Sequence, residues 1–479
     1  MTDIKKIEEN IYEIPRTGTM NVPGRIFADD ILIQDIIRDN PLEQVRNVAC
    51  LPGIECFSLA MPDIHPGYGF PIGGVAAFST EHGVVSPGGV GYDINCGVRV
   101  ITTDIPVKDV IDRRHELCTS IFNTVPSGVG SKNSIKQPSR SDFNKALTRG
   151  AQWAYDQGFR KGGTPLHAEQ GGCMEEADPG SVSQNAIRRG IHQLGTLGSG
   201  NHFIEIDSIA EIFEPESARV FGLETGMCAV QIHTGSRGFG HQVCDDAVKR
   251  LRKIPQGLCG TLPDKQLVCA PLGSHEAEHY FAGMASAANF AWANRQIISH
   301  MVSETFEQVF GSAAEKLGIR LVYDVCHNIA AFETHEINGT EKTLCVHRKG
   351  ATRALPPDNE QLPSEYRETG QPVLIPGDMG GSSYICRGGS RAESLTFRSS
   401  CHGAGRVLSR KKAVKKAGGR NIFSELEQKG IELISKSRRT AAEEMPEAYK
   451  DSTRVVNVMH NCGVAMKVAR LEPVGVIKG

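Results

Sequence analysis

Hydrophobic and polar positions change period several times along the chain, and the changes predict a mixture of helices and strands. Helical spacing first appears from Leu42 to about Ala49. Asn40 reads as its N-cap, with Pro41 at the first helical position and Glu43 completing a capping box. Met61 to Phe78 is dense in Gly and Pro and reads as a loop followed by a strand. Val107 to Thr124 returns to helical periodicity. Two long polar stretches follow, Pro126 to Phe143 and Gly162 to Gly190, and loops of such length are usually functional. From Gly195 onward short strands run into glycine-polar loops: FIEI, AVQIH and LVYDVCH. A long helix from Ser274 to about Glu307 interrupts them, and another is expected near Phe423 to Glu444. The pattern predicts an α+β chain read as one domain, 1–479, with strands presenting polar ends to one place.

Composition narrows the picture. With 39% hydrophobic and 23% charged residues, the 479-residue chain can bury a sizeable core. Its formal net charge of -2 means that any nucleic-acid site must be a local basic patch. Glycine is in excess, 52 residues against a usual share of roughly 7%, and it clusters beside polar residues, as backbone closely approaching a ligand requires. Fourteen cysteines in a chain of this size point to reduced thiols. The first residues, MTDIKKIEEN, lack an apolar signal core, and no apolar run approaches the roughly 20 residues that span a bilayer. A cytosolic enzyme is the expectation.

Five segments put a metal-capable or nucleophilic side chain in a glycine-rich or strand-end setting. PGGVGYDINCGVR carries Asp93 and Cys96, and GSGNHFIEI carries Asn201, His202 and Glu205. QIHTGSRGFGH carries His233 and Arg237, DVCHNIA carries His327 and Asn328, and SSCHGAGR carries Cys401, His402 and Arg406. Singly each is weak, since a histidine beside a strand is more often a hydrogen-bonded core residue. Together, one thiol, one carboxylate and three imidazoles are the ingredients of a metal site. A thiolate shared by two metals is the economical arrangement, and two-metal sites suit phosphoryl chemistry. Ligand softness alone favours zinc.

Standard alternatives are missing: there is no GxxxxGK[ST] phosphate loop, no KxDG lysine nucleophile and no well-placed GxGxxG. His275-Glu276-Ala277-Glu278-His279 matches the HExxH zinc-protease pattern, with Ser274 as N-cap. That reading leaves the glycine-rich segments unexplained, and acidic residues in a first helical turn have an ordinary explanation in the helix dipole. Arg188, Arg189, Arg237, Arg406 and Arg410 lie in or near the glycine clusters and suit bidentate phosphate contact. RVLSRKKAVKKAGGR, 406–420, holds seven basic residues and no acid. It reads equally as a solvated helix face or as a track for an RNA backbone.

These segments together resemble the RtcB family of RNA-splicing ligases. The likeness runs from MPDIHPGYGFPIGGVAAF near residue 61 to the terminal PVGVIKG. It includes HRKGATRA (His347 to Ala354), PGDMGGSSY (Pro376 to Tyr384) and YKD (Tyr449 to Asp451). The resemblance implies a single large domain in which mixed β-sheets form a central active-site cleft surrounded by helices. It implies two Mn²⁺ ions bridged by Cys96, one also held by His233 and His327 and the other by Asp93 and His202. Manganese therefore comes from the family, against the softness argument. It implies GTP as co-substrate and His402 as the guanylylated histidine. Asn201 and Ser383 would contact the triphosphate, and Phe203, Glu205, Tyr449 and Lys478 would form the guanine pocket. A carboxylate facing the N1–H and N2 amino edge of guanine accounts for GTP over ATP.

By the same resemblance, the RNA partner carries a 2′,3′-cyclic phosphate or 3′-phosphate and is joined to a 5′-hydroxyl end, in tRNA splicing or RNA repair. Asp63 and His65 are candidates for proton transfer or substrate placement. Asp378 stands where many members have Ser, and its charge would repel phosphates unless it faces a metal or an Arg. The alternatives are GMP capping of RNA or DNA 3′-phosphate ends without sealing, and an RNA-end-binding scaffold without catalysis, which the intact residue set disfavours. A monomer is expected, and whether an archease-type activator assists is left open.

Overall fold

The computed structural model describes residues 4–254 and 262–479. Two large sheets dominate. The first has the order Lys5–Glu8, Ile11–Ile14, Gly24–Phe27, Ile54–His65, Ile72–Ser79, Thr340–Lys349, Asn328–Ile337. The second runs Arg320–Cys326, Gly97–Pro106, Met227–Thr234, Phe203–Ile212, Ala465–Lys478, Ser383–Gly388, Pro372–Ile375, with Glu432–Ser435 added parallel to Ala465–Lys478. The predicted α+β class with mixed sheets is what is observed. FIEI, AVQIH and LVYDVC are neighbours or near neighbours in the second sheet, buried on both faces, which explains their near-continuous apolar runs.

Three local expectations need correction. Asn40 does not cap the helix Leu42–Val48, which begins at Pro41 without a side-chain cap. It ends the preceding helix, Leu32–Asp39, in the left-handed region (φ 55°), its N–H bonded to Ile36 O, a conformation that Asn tolerates better than most residues. Met61 to His65 is strand rather than loop, because Ile54–His65 continues through Pro62 at a register irregularity that spares the missing N–H. The loop is confined to 66–71. The long helix expected near Phe423 to Glu444 is instead a helix, Ile422–Gln428, the strand Glu432–Ser435 and a helix, Arg438–Glu443. Gly430 (φ 81°) breaks the periodicity and frees ELIS to join the sheet edge.

The long helix is present as His275–Phe310. Ser274 Oγ accepts from Ala277 N at its start, and Gly311 (φ 64°) closes it. It is buried nearly all round, and its alanines let neighbouring elements approach closely. Its interior is nevertheless polar at its midpoint. Arg295, fully buried, donates to Asn95 O (2.8 Å), Thr234 O (2.9 Å), Asn95 Oδ1 (2.9 Å) and Asp324 Oδ1 (3.0 Å). Asp324, also fully buried, accepts from Arg99 as well (2.9 Å). Asn294, next on the helix, bonds Thr196 N, Thr196 O and Gly235 O.

Removing one partner of such a buried ionic network leaves uncompensated charge, at a cost of about 3–5 kcal/mol. Arg295→Met is therefore expected to lower unfolding stability by about that amount in urea titration. Arg295→Lys should recover little, since one ammonium cannot reproduce the guanidinium fork. A loss below about 1 kcal/mol in Arg295→Met would show the network to be dispensable.

Candidate metal centre and its cleft

The two sheets and the 376–410 segments enclose a cavity of ≈ 720 Å³. Cys96 and Asp93 reach it from the turn before Gly97–Pro106 and His233 from the end of Met227–Thr234, while His202, in the turn before Phe203–Ile212, stands behind Asp93 and Cys96. His327 lies in the one-residue break between Arg320–Cys326 and Asn328–Ile337, where the chain passes from one sheet to the other. Its N–H is held by Cys96 O at 2.9 Å, and its carbonyl accepts from Gly350 N at 2.7 Å.

Five donor atoms converge there in two sets, Cys96 with His233 and His327, and Asp93 with Cys96 and His202. Cys96 Sγ lies 3.3 Å from His233 Nε2 and 3.5 Å from His202 Nε2. His233 Nε2 faces His327 Nε2 at 3.3 Å, and His202 Nε2 lies 2.8 Å from Asp93 Oδ2. His202 Nδ1 is 3.1 Å from Leu197 O and keeps a proton there, so Nε2, which here hydrogen-bonds Asp93, is the nitrogen that a cation would take in place of that proton. Burial holds His233 and His327 far below the ordinary imidazole range, which keeps them neutral. Burial opposes ionisation of Asp93, but the charge and hydrogen bond of His202 bring its carboxyl down to about 2. Burial, then the Asp93 charge, push the Cys96 thiol well up. A thiol so placed becomes a thiolate when a cation sits beside it. Two neutral imidazole nitrogens facing one another and a sulfur, with a carboxylate alongside, fit divalent cations and little else.

Close packing fixes these side chains. Gly198 (φ 99°) leaves room for the Arg237 guanidinium, since a Cβ there would come within 2.1 Å of Arg237 Nη1 and 2.7 Å of His202 Nδ1. Arg237 Nε donates to Thr196 Oγ1 at 3.3 Å, and the side chain packs behind the ligand set rather than lining the cavity.

His402 follows the strand Ser399–Cys401 and stands on the opposite wall, its ring centroid 4.9 Å from that of His327. Asp63, fully buried, accepts from His402 N (3.0 Å) and lies 2.6 Å from His402 Nδ1 through the same Oδ2. A carboxylate only accepts, so Nδ1 carries a proton, and in the neutral ring Nε2 keeps its lone pair. Gly405 (φ 74°) makes the approach possible, as a Cβ there would meet Asp63 O at 2.2 Å. His65 Nδ1 lies 3.0 Å from Asp63 O, and burial lowers its pKa to about 4.

Asn201, Phe203, Glu205, Tyr449 and Lys478 line the same cavity. Lys478 Nζ donates to Gly200 O (3.1 Å) and sits 5.7 Å from the Phe203 ring centroid. Ser383 is set behind Glu205: its fully buried hydroxyl accepts from Gly377 N (2.9 Å) and donates to Glu205 Oε1 (3.3 Å). Arg406 and Arg410 reach the cavity, both engaged by the buried Glu444 at 2.7 and 3.3 Å. Tyr449 also donates to Glu444. Arg188 and Arg189 are exposed on the helix Gln184–Gly190 and do not line the cavity, and Arg189 donates to Gln242. Asp378 lines it half-buried, accepting from Gly380 N at 2.9 Å, with burial raising its pKa. The basic run becomes the helix Arg410–Ala417, capped by Ser409. Glu444 and Asp207 were not anticipated. Neither stands in a glycine-rich motif, though Glu444 is the counter-charge that the acid-free run 406–420 demands.

His275 and His279 share a helix face, ring centroids 6.4 Å apart. Among the described residues they gather no third ligand.

Fold and site together define an α+β protein with a buried thiol, imidazole and carboxylate cluster suited to hold metal, beside a cleft that His402 also lines. The sequence profile of tRNA-splicing ligase RtcB matches residues 44–479. Similar proteins named tRNA-splicing ligase RtcB occur in Thermococcus kodakarensis (49% identical, 100% of this chain and 99% of the relative), Methanococcus maripaludis (47%, 99% of each) and Archaeoglobus fulgidus (49%, 99% of each). The chain belongs to the RtcB family.

Equilibrium dialysis against Mn²⁺ with elemental analysis should find bound metal in the wild type and at least a tenfold weaker affinity in Cys96→Ala, with His279→Ala unaffected. Unchanged affinity in Cys96→Ala would exclude its sulfur as a ligand.

Proposed function

We propose that this chain is a GTP- and manganese-dependent RNA ligase that joins a 3′-phosphate or 2′,3′-cyclic phosphate end to a 5′-hydroxyl end through GMP carried on His402. The family membership supports RNA ligation, and one observation carries the mechanism. His402 lines the cleft with Nδ1 2.6 Å from the buried Asp63 carboxylate, so that in the neutral ring the proton sits on Nδ1 and the lone pair on Nε2. A neutral imidazole held in that tautomer is a competent nucleophile.

In the proposed sequence, GTP binds with guanine against Glu205, Phe203, Tyr449 and Lys478 and with its phosphates toward Asn201 and the metal ligands. His402 Nε2 attacks the α-phosphorus; the N–P bond forms as the bond to the pyrophosphate oxygen breaks. The positive charge arising on the ring is spread to Nδ1 and balanced by Asp63. The residues Asp93, Cys96, His202, His233 and His327 would hold two Mn²⁺ ions, which when bound withdraw charge from the phosphates and leaving pyrophosphate. A cyclic phosphate end is first hydrolysed to a 3′-phosphate. An oxygen of that phosphate attacks the GMP phosphorus and frees His402. The 5′-hydroxyl oxygen of the second RNA end then attacks the 3′-phosphorus, its proton leaves, a phosphodiester forms and GMP departs.

Glu444 neutralises Arg406 in part, whereas Arg410 is half-exposed and leads into the basic helix Arg410–Ala417. That helix supports an RNA backbone path from the nucleophile outward. A thiolate ligand such as Cys96 suits a reducing compartment, and the cytoplasm is the proposed one.

Incubation with Mn²⁺ and α-labelled GTP is expected to put acid-labile label on the wild type and none on His402→Ala. Asp63→Asn should label on the order of 10³-fold more slowly, because the amide donates to Nδ1 and moves the proton to Nε2. RNA with 2′,3′-cyclic phosphate and 5′-hydroxyl ends should then be sealed; transfer of GMP without sealing would favour end capping. No label on the wild type would sink the proposal.

A further inference from the structure

Glu205 does not stand alone in the cleft wall. Two residues along the same strand is Asp207, and both carboxyls are buried, 2% and 0% exposed. They share one donor: Gln231 Nε2 lies 3.1 Å from Glu205 Oε1 and 2.8 Å from Asp207 Oδ2. The Ser383 hydroxyl adds one weak bond to Glu205, and among the described residues no N–H or hydroxyl donor reaches Asp207 Oδ1. The other titratable groups facing the pair are Lys478 on the last strand, Asp378 on the 376–382 loop and Cys228 on the neighbouring strand. Lys478 is divided between Glu205 and Glu444, and its hydrogen bond goes to Gly200 O. One amide, one hydroxyl and a shared ammonium cannot solvate two buried negative charges, and two carboxyls so placed retain a proton between them.

We propose that Asp207 sets the protonation of the base-reading carboxylate: the free protein stores one proton on the Glu205–Asp207 pair, and guanine binding expels it. The proposal rests on the reading of Glu205 as the guanine contact. Guanine offers N1–H and N2–H donors, which need Glu205 as an anion. Binding therefore converts Glu205 from carboxylic acid to carboxylate; the two guanine donors take over its charge and leave the Gln231 amide to Asp207, so the pair no longer needs its proton, and the O–H proton passes to the buffer. Burial first, then the Asp207 charge, raise Glu205 well above the usual carboxylate range, and burial raises Asp207 as well. The sign follows. GTP selects the deprotonated Glu205, so affinity rises with pH while the pair still holds its proton, approaching tenfold per pH unit. At lower pH the pocket presents a donor instead of an acceptor, and discrimination against ATP narrows.

Calorimetric titration of GTP into Mn²⁺-loaded His402→Ala protein, in two buffers of different ionisation enthalpy near pH 7, counts the protons released. About one per GTP is expected. Asp207→Asn in the same background keeps an acceptor for Gln231 and should release less than half as many, with tighter binding that varies less with pH. Zero release in the parent, or equal release in Asp207→Asn, overturns the proposal. Asp207→Ser gives a second test should the Asn variant fold poorly. If GTP binds neither protein, the reading of Glu205 as a guanine contact falls. The stored proton is then judged on its own by infrared spectroscopy. A carboxylic-acid carbonyl band at pH 7 that is lost in Asp207→Asn supports it, and absence of the band in the parent overturns it.

Discussion

The ligand set depends on one buried guanidinium. Arg295 reaches from the middle of the central helix to three chain segments, each next to a metal-ligand candidate. Asn95 precedes Cys96, Thr234 follows His233, and Asp324 begins the DVCH run that ends at His327. No two of these segments are adjacent in sequence. A fork with donors in fixed directions can set their relative positions in a way that apolar packing cannot, because packing tolerates small sliding and a hydrogen-bonded guanidinium does not. Asn294 performs the same task for the Thr196 and Gly235 backbone, which flanks the His202 and His233 turns. The central helix is polar where it meets these turns, and also at Asn289 and Ser299, which bond Leu147 O, Met174 O and Gly162 O.

Electrostatic balance in the cleft follows from this rigidity. At one end His233 and His327 are neutral and the Cys96 thiol is pushed up, so that part of the donor set is short of positive charge and invites cations. At the other end Glu444 binds Arg406, Arg410 and Tyr449 and shares the field of Lys478. The arginines read from sequence as phosphate contacts are thus partly spent within the protein. Arg410, with 54% of its side chain exposed, keeps the most capacity for an external anion.

Much of the site was legible in the sequence because its donors sit in short glycine-polar motifs at strand ends, where type and setting are both visible. The α+β class was legible for a related reason, since strands buried on both faces read as apolar runs. Capping was less so: Asn40 satisfies the grammar of an N-cap and of a left-handed C-cap alike, and the preceding helix decides which. The stretch after Phe423 has helical spacing locally, but pairing with the terminal strand outweighs it for ELIS. Asp63 was visible as a residue, though its bond to His402 crosses 339 positions and no local pattern records such a pairing. Asp207 was hidden by its ordinary place in a strand.

The placement of His327 shows how fold and chemistry are joined. It occupies the break between a strand of the second sheet and a strand of the first, and both its backbone polar groups are engaged, one to each side. Asp63 belongs to the first sheet, and the strand leading to His402 pairs with Ala351–Arg353, just beyond it. Asp93, Cys96, His202 and His233 belong to turns and strands of the second. The nucleophile and its carboxylate therefore approach the metal donors across the seam between the sheets, with His327 as the hinge point of both walls. Any shift of one sheet against the other changes the His402–His327 separation directly. The tight contacts of Gly198 with Arg237 and His202, and of Gly405 with Asp63, where even a methyl group would collide, hold the side chains of each wall in place. The glycine excess that first marked the sequence is thus partly a requirement of packing backbone this closely against the side chains of the cleft.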